Sequence, residues 1–282
     1  MFFSSFRTQF SFAIRQKITL ATFGLLFVIV GLNFVGNVLT FQGMDITTMY
    51  HPMKLLLLSY NRIYHNADNT LLLIQLYPLL VACPAGLLYA KEWQIGLNTL
   101  VGSRVGALNY NLSKLAAVFC VTAIVFTLPF IIEILLNIIA FPTNAIGDLS
   151  NLNTYDPSYL QSIKNYIFCD LYLVSPYLYA VVMTVLFGIL SGILGMTICA
   201  FSMTIHVKFR LLYLLPIYIL LNFTIYILPN IADLGAKLEW YHYYLLFNDE
   251  RKSVLGFFIV QVILIVYTLM SAYYGSRKDC VK

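Results

Sequence analysis

The sequence predicts an all-α, polytopic membrane protein with six transmembrane helices, and three observations lead to this prediction. Of the 282 residues, 60% are hydrophobic and only 10% are charged, with a mean hydropathy of +0.82. The apolar residues form six long runs, and the basic residues concentrate in alternate connections. A soluble domain is about 45–50% apolar and about 25% charged, so the composition excludes a water-soluble domain and a disordered chain.

Each apolar run is about 19 residues or longer, which is enough to cross a hydrocarbon core of about 30 Å at 1.5 Å per residue. Backbone groups in lipid must pair internally, so we expect helices, and residues 124–140 lack the alternation of a membrane β-strand. We expect a single transmembrane domain over residues 1–282. Its predicted spans are approximately 18–40, 71–90, 115–140, 173–204, 211–229 and 254–274.

Residues 1–17, before the first span, are expected to form a helix lying in the membrane interface. Phe3, Phe6, Phe10 and Ala13 recur at three- and four-residue spacing, which is typical of an amphipathic helix. Basic residues at its surface are Arg7, Arg15 and Lys17. The alternative is a short basic tail in which the phenylalanines are accidental.

The distribution of charge predicts that both termini are cytoplasmic. With the N-terminus inside, the cytoplasmic segments 1–17, 91–114, 205–210 and 275–282 hold eleven of the 17 basic residues and two acidic ones. The positive-inside rule favours this orientation in a cell membrane, which we expect to be the plasma membrane of a bacterium.

The chemistry of a self-contained enzyme is missing from the sequence. We find no G-x-x-x-x-G-K-[ST] phosphate loop, no H-E-x-x-H and no G-x-S-x-G. The four histidines are far apart, and the five cysteines have no paired spacing. We therefore predict no catalytic residues, no metal site, no cofactor bound by this chain and no nucleic-acid partner.

Glu133 is the main ionisable residue inside a predicted span. A carboxylate in hydrocarbon costs at least about 2.5 kcal/mol, so such residues usually face an interior or a cavity. One hypothesis is that Glu133 lines a substrate path or carries a proton. The other, which we favour, is that it lies near the outer interface and bonds to a neighbouring helix.

A stripe of small residues in the fourth span predicts close helix packing, within the subunit or across a dimer. Its members are Gly188, Ser191, Gly192 and Gly195. Substrate contact is the less favoured alternative.

The connection 91–114 is the largest polar segment on the predicted cytoplasmic side. Its apolar residues Trp93, Leu97, Leu100 and Val101 recur at helical spacing, and Arg104 and Lys114 give it a basic flank. We expect a short helix parallel to the membrane that offers one face to a cytosolic partner. A solvated connection without a partner is the alternative.

With this connection in place, the sequence resembles the permease subunits of type-2 ABC exporters, the ABC-2 family. Such subunits have an N-terminal interfacial helix, six spans, both ends inside and an inner loop in this position. The resemblance in layout covers nearly the whole chain, and the long outer insert at 141–172 departs from it. The loop residues that match the family pattern are Glu92, Gly96, Ser103, Arg104, Tyr110 and Lys114.

The resemblance implies a half-transporter without an ATPase site of its own. Two permease subunits, identical or different, would enclose a path for a peptide, a lipid-like compound or a drug. Each would dock on a cytosolic ABC ATPase that binds ATP and Mg²⁺. Residues 93–101 would pack in a groove of that ATPase, Arg104 would make charge-assisted contacts, and the interfacial helix would flank the same surface.

Two other function classes stay open at this point. A membrane enzyme acting on a lipid would need converging groups, for which the candidates are Glu133, Asp170, His51 and His65. A non-transporting immunity or sensor protein would bind a peptide through the outer connections 41–70, 141–172 and 230–253.

Overall fold

In the computed structural model, the protein is described over residues 2–44, 51–59, 67–84, 86–143, 164–205, 207, 209–226, 239–248 and 253–279. Every regular element in these ranges is a helix, and one isolated β-bridge joins Ser59 to Leu246. The helices are α1 (Phe2–Ile14), α2 (Lys17–Phe41), α3 (Ala67–Leu80), α4 (Leu88–Ile95), α5 (Leu97–Val105), α6 (Ala107–Ala140), α7 (Cys169–Val174), α8 (Pro176–Thr204), α9 (Leu215–Tyr226), α10 (Tyr241–Tyr244) and α11 (Val254–Asp279). Two 3-10 turns lie at Pro52–Leu55 and Arg210–Leu214.

Four of these helices are long and apolar enough to cross a membrane. They are Lys17–Phe41, Ala107–Ala140, Pro176–Thr204 and Val254–Arg277. They coincide with the first, third, fourth and sixth predicted spans and indicate a helical membrane protein. The third is longer than predicted, because α6 begins at Ala107 and so takes in the last part of the connection 91–114.

The second predicted span, 71–90, is not one continuous helix. α3 ends at Leu80, turns follow at 81–84 and 86–87, and α4 begins at Leu88. Pro84 explains the break, because proline has no backbone N–H to donate within a helix and disfavours helical geometry in the residue before it.

The fourth and fifth predicted spans also differ in detail from the helices observed. Ser175 separates α7 from α8, where its hydroxyl caps α8 by accepting a hydrogen bond from Leu178 N at 3.4 Å. The described part of 211–229 is a 3-10 turn followed by the 12 residues of α9, which is short for a complete crossing. Residues 227–229 lie outside the described ranges.

Helix α8 packs along α6 through the predicted glycines. A Cβ at Gly192 would lie 2.8 Å from the Phe119 ring and 2.9 Å from the Phe119 carbonyl oxygen. A Cβ at Gly195 would lie 2.7 Å from Thr122 Oγ1. Only glycine permits this approach, so the small residues serve a contact within the chain. Ser191 faces α3 instead, with its hydroxyl 2.9 Å from the Tyr77 hydroxyl.

The amino-terminal helix and the carboxyl end of the last helix lie at the same end of the bundle. The Ser5 hydroxyl on α1 is 2.7 Å from the Ser113 hydroxyl on α6. Near the same level, Asn111 donates a hydrogen bond to the Ala272 carbonyl on α11 at 3.2 Å. We call this the α1 end, and the opposite end, where α2 and α6 finish, the far end.

Two irregular segments occupy the interior of the bundle, residues 51–59 and 239–248. Met53, Leu57 and Leu246 are completely buried. The segments meet where Leu246 N donates a hydrogen bond to the Leu58 carbonyl at 2.9 Å. The described part of connection 230–253, residues 239–248, contains the buried helix α10.

Candidate functional site at the α1 end of the bundle

Two glycines set the course of the connection between α4 and α6. Gly96, with φ 76°, ends α4, and Gly106, with φ 88°, separates α5 from α6. Both lie in the left-handed region that side chains with a Cβ rarely adopt. The connection therefore forms two short helices that fold back on the start of α6, and the prediction of one helix through this segment was wrong.

A buried ion pair joins this connection to the long helix α6. The Lys114 ammonium pairs with Glu92 Oε2, and both side chains are buried. The Tyr110 hydroxyl hydrogen-bonds the same Glu92 oxygen and lies 2.9 Å from Asn98 Oδ1. Lys114 also donates to the Tyr110 hydroxyl at 3.0 Å. We call Glu92, Asn98, Tyr110 and Lys114 the inner cluster; α4, α5 and α6 all contribute to it.

Charge balance keeps the inner cluster stable in the bundle. An isolated buried charge is very costly, and a buried pair is tolerated when hydrogen bonds satisfy its remaining atoms. Here one carboxylate contacts one ammonium directly, and the Tyr110 phenol hydrogen-bonds to both. α4 and α5 are thereby fixed to the first turns of α6 by charge as well as by packing.

Helix α1 covers the inner cluster and leaves a cleft beside it. Ser5, Gln9 and Ala13 face the bundle, whereas Phe3 is 83% exposed. The face against the protein is thus more polar than predicted, and the exposed phenylalanines remain available to lipid. The cleft has a volume of about 380 Å³. It is lined by Ser4, Ser5, Thr8, Gln9, Phe12, Glu92, Val101, Arg104, Val105 and Tyr110.

The apolar residues predicted to share one docking face are divided between two helices. Trp93 on α4 is 37% exposed and Leu100 on α5 is 66% exposed, whereas Val101 faces the cleft. Ile95, which we had not singled out, is 61% exposed. The side chain of Leu97 lies outside the described part. We call Trp93, Ile95 and Leu100 the exposed apolar patch.

The predicted basic residues of this end are mostly at the surface. Arg7, Arg15, Lys17 and Arg104 are exposed, and Arg104 lies at the cleft. Lys114 is the exception, because it is completely buried in the inner cluster. The pairing of Glu92 with Lys114 spans 22 positions, so no local pattern in the sequence shows it.

Glu133 lies near the far end, completely buried, and bonds to two neighbouring elements. Its Oε1 accepts hydrogen bonds from Asn33 Nδ2 on α2 at 2.7 Å and from Leu57 N at 2.8 Å. Asn33 and Asn37 donate to the Leu55 carbonyl at 3.0 and 2.7 Å. Polar side chains thus satisfy the irregular backbone of segment 51–59.

Asn137 completes this group by donating to the Pro52 carbonyl at 3.5 Å. We call Asn33, Asn37, Glu133 and Asn137 the far-end clamp. Sequence reasoning missed its asparagines, although each pair, Asn33 with Asn37 and Glu133 with Asn137, has the four-residue spacing of one helix face.

The candidates for lipid chemistry do not form a group. Glu133 is buried and Asp170 is exposed, while the His51 ring packs against Tyr177 with a centroid distance of 5.0 Å. His65 lies outside the described residues. Among the described residues, no three acidic, histidine or cysteine side chains gather as metal ligands would.

No protein-family model, curated protein or solved structure matches the chain.

Proposed function

We propose that the chain is the membrane-spanning permease subunit of an ABC exporter, driven by a separate cytosolic ATPase. The observation that carries the proposal is the inner cluster, which fixes the two helices α4 and α5 to the longest helix of the bundle. The resemblance of the 91–114 connection to the inner loop of ABC-2 permeases also supports the proposal. Three of the residues that match the family pattern, Glu92, Tyr110 and Lys114, belong to the inner cluster.

The inner cluster is suited to transmit motion. A cytosolic partner seated on the exposed apolar patch would push on α4 and α5. Because Glu92 is paired with Lys114 in a buried, hydrogen-bonded contact, α6 would move with them rather than slide past. α6 in turn packs on α8 through glycines, so the displacement would reach the centre of the bundle.

The finer topology of the proposal has six crossings with both termini cytoplasmic. The four long helices supply four crossings. α3 with α4, interrupted at Pro84, and α9 with its flanking residues would supply the other two. Interrupted helices are tolerated at membrane depth where protein satisfies their backbone, as at the Pro84 carbonyl, which accepts a hydrogen bond from the Thr19 hydroxyl. The basic excess in 1–17 and 91–114 supports a cytoplasmic α1 end, in the plasma membrane of a bacterium.

The partners follow from the same proposal. The ATPase would hold ATP and Mg²⁺, since this chain lacks a phosphate loop. A second permease subunit, identical or different, would cover part of the apolar outer faces of α2 and α11. The cargo would be a peptide, a lipid-like compound or a drug.

Substitutions in the exposed apolar patch are expected to prevent ATPase docking. Trp93→Asp or Leu100→Asp places a charge in an apolar contact, which should weaken binding by about 2 kcal/mol, or about thirtyfold. Co-purification of a phosphate-loop ATPase with the full chain in mild detergent measures this. Leu255→Asp is the matched control, because Leu255 is 75% exposed at the start of α11, far from the patch. Equal ATPase recovery from the wild type and both patch variants would rule out this docking surface.

The orientation can be tested with a single cysteine in a cysteine-free background. Ser103 on α5 is exposed, so Ser103→Cys should react with a membrane-permeant maleimide and resist an impermeant one in intact cells. Lys164→Cys, at an exposed residue of the outer connection 141–172, should react with both reagents. Labelling of Ser103→Cys by the impermeant reagent would contradict a cytoplasmic α1 end.

A further inference from the structure

Three buried oxygen atoms of the far-end clamp have no hydrogen-bond donor among the described residues. They are Glu133 Oε2, Asn33 Oδ1 and Asn137 Oδ1, and all three residues are completely buried. The amide orientations follow from the bonds already made, because both asparagines use their Nδ2 atoms as donors. A buried acceptor without a donor costs about 1–3 kcal/mol, so three together need an explanation.

These oxygens belong to side chains that adjoin one another. Asn33 is hydrogen-bonded to Glu133 at 2.7 Å, and Asn137 follows Glu133 by one helical turn on the same face of α6. The Pro52 carbonyl, which accepts the long bond from Asn137, lies beside them. One carboxylate and two amide oxygens, next to the irregular backbone of segment 51–59, therefore line one region near the far end.

The described protein supplies no ion-pair partner for Glu133, since Lys54, the buried lysine of segment 51–59, does not pair with it. The described ion pairs join Lys114 to Glu92 and His242 to Glu239, and none reaches Glu133. Glu133 Oε1 accepts two hydrogen bonds, whereas Oε2 accepts none among the described residues. A buried negative charge needs a compensating positive one.

We propose that Glu133 Oε2, Asn33 Oδ1 and Asn137 Oδ1 bind a small monovalent cation, with sodium as the ion that fits this chemistry. Carboxylate and carbonyl oxygens are the ligands that hard cations prefer, and irregular segments within membrane proteins supply such sites. A single carboxylate matches a single positive charge. The bound ion fastens segment 51–59 to α2 and α6.

A bound cation gives a partner to more of the three buried oxygen atoms than a proton on Glu133 does. A proton on Oε2 donates to one amide oxygen and leaves the other without a partner. A cation faces all three oxygens and neutralises the carboxylate at the same time. The site is independent of the proposed transport function, since it lies at the opposite end from the inner cluster and needs no ATPase.

The test is thermal unfolding of the full chain, purified in detergent at constant pH and ionic strength. Sodium chloride is compared with N-methylglucamine chloride, and unfolding is followed by tryptophan fluorescence, because Trp240 stacks on Tyr77 at 4.5 Å inside the bundle. We expect Tm to rise by about 3 °C for each tenfold increase in sodium above the dissociation constant. Glu133→Gln should abolish the rise.

Matched variants keep the proposal falsifiable if Glu133→Gln does not fold. Asn137→Ala retains the carboxylate but loses one ligand, so half-saturation should need several-fold more sodium. Asn137→Asp adds a second carboxylate and should make calcium stabilising. Asn111→Ala, at a buried asparagine near the other end of α6, should lower Tm but keep the full sodium response.

Two results would overturn the proposal. One is an identical Tm for the wild type in sodium and N-methylglucamine at every concentration. The other is a Tm that does not depend on sodium but depends on pH in the wild type and not in Glu133→Gln. That result would assign a proton to Oε2.

Discussion

Replacing Lys114 with methionine is expected to destabilise the protein by about 3–5 kcal/mol and to uncouple α4 and α5 from α6. Removal of one partner leaves the other charge buried and uncompensated, which is the costly state of a buried pair. Among the described residues, the Tyr110 hydroxyl would then be the remaining hydrogen-bond donor to Glu92 Oε2. The free energy of unfolding in detergent measures the loss, and stimulated ATP hydrolysis of the reconstituted complex measures the uncoupling.

The double variant Glu92→Gln, Lys114→Met separates charge from packing. Neutral side chains of similar volume often replace a buried ion pair at little cost, so the double variant should recover at least half of the stability lost. Lys17→Met, at an exposed lysine of the same end, should change stability by less than about 0.5 kcal/mol. If the double variant is as unstable as Lys114→Met alone, the pair contributes through packing and not through charge.

A second large effect is expected at the contact between α6 and α8. A Cβ at Gly188 would overlap Thr127 Oγ1 and lie 2.9 Å from the Ala123 carbonyl oxygen. Because backbone atoms close this space, Gly188→Ala should force the two helices apart and cost about 1–3 kcal/mol, and Gly188→Leu should prevent stable folding. Tm of the purified protein and its yield in the membrane fraction are the measurements.

The control for this substitution is a glycine with open space around it. Gly24, on α2, has nothing within 4 Å of the position that a Cβ would take. Gly24→Ala should therefore be neutral or slightly stabilising, because alanine favours helix by about 1 kcal/mol over glycine. Equal losses at Gly188 and Gly24 would show that the close contact with α6 does not determine the effect at Gly188.

The long helices could be predicted from the sequence because hydropathy over about 20 residues is a local property. The boundaries of α2 and α8 lie within three residues of the boundaries predicted for the first and fourth spans. The interruption in 71–90 could also have been predicted from the sequence, since Pro84 lies inside the predicted span. The span was predicted from its many apolar residues, without regard to the helix hydrogen bond that a proline cannot form.

The inner cluster and the far-end clamp could not be predicted in the same way. Glu92 and Lys114 both appeared as members of a loop motif, but their contact depends on the turns at Gly96 and Gly106. Glu133 was expected to bond to a neighbouring helix, and the structure adds that the backbone of segment 51–59 is its second partner. Such contacts join distant parts of the chain and leave no periodic pattern.

The hydrogen bond between Leu246 and Leu58 has a consequence for biogenesis. Membrane proteins are synthesised and inserted from the amino terminus, so the Leu58 carbonyl has no Leu246 partner until segment 239–248 has left the ribosome. During that interval, neighbours translated earlier hold the segment, including the amides of Asn33 and Asn37 and the carboxylate of Glu133. The last third of the polypeptide thus finishes a structure that the first half has already begun, and a nascent chain stopped before residue 239 would leave it incomplete.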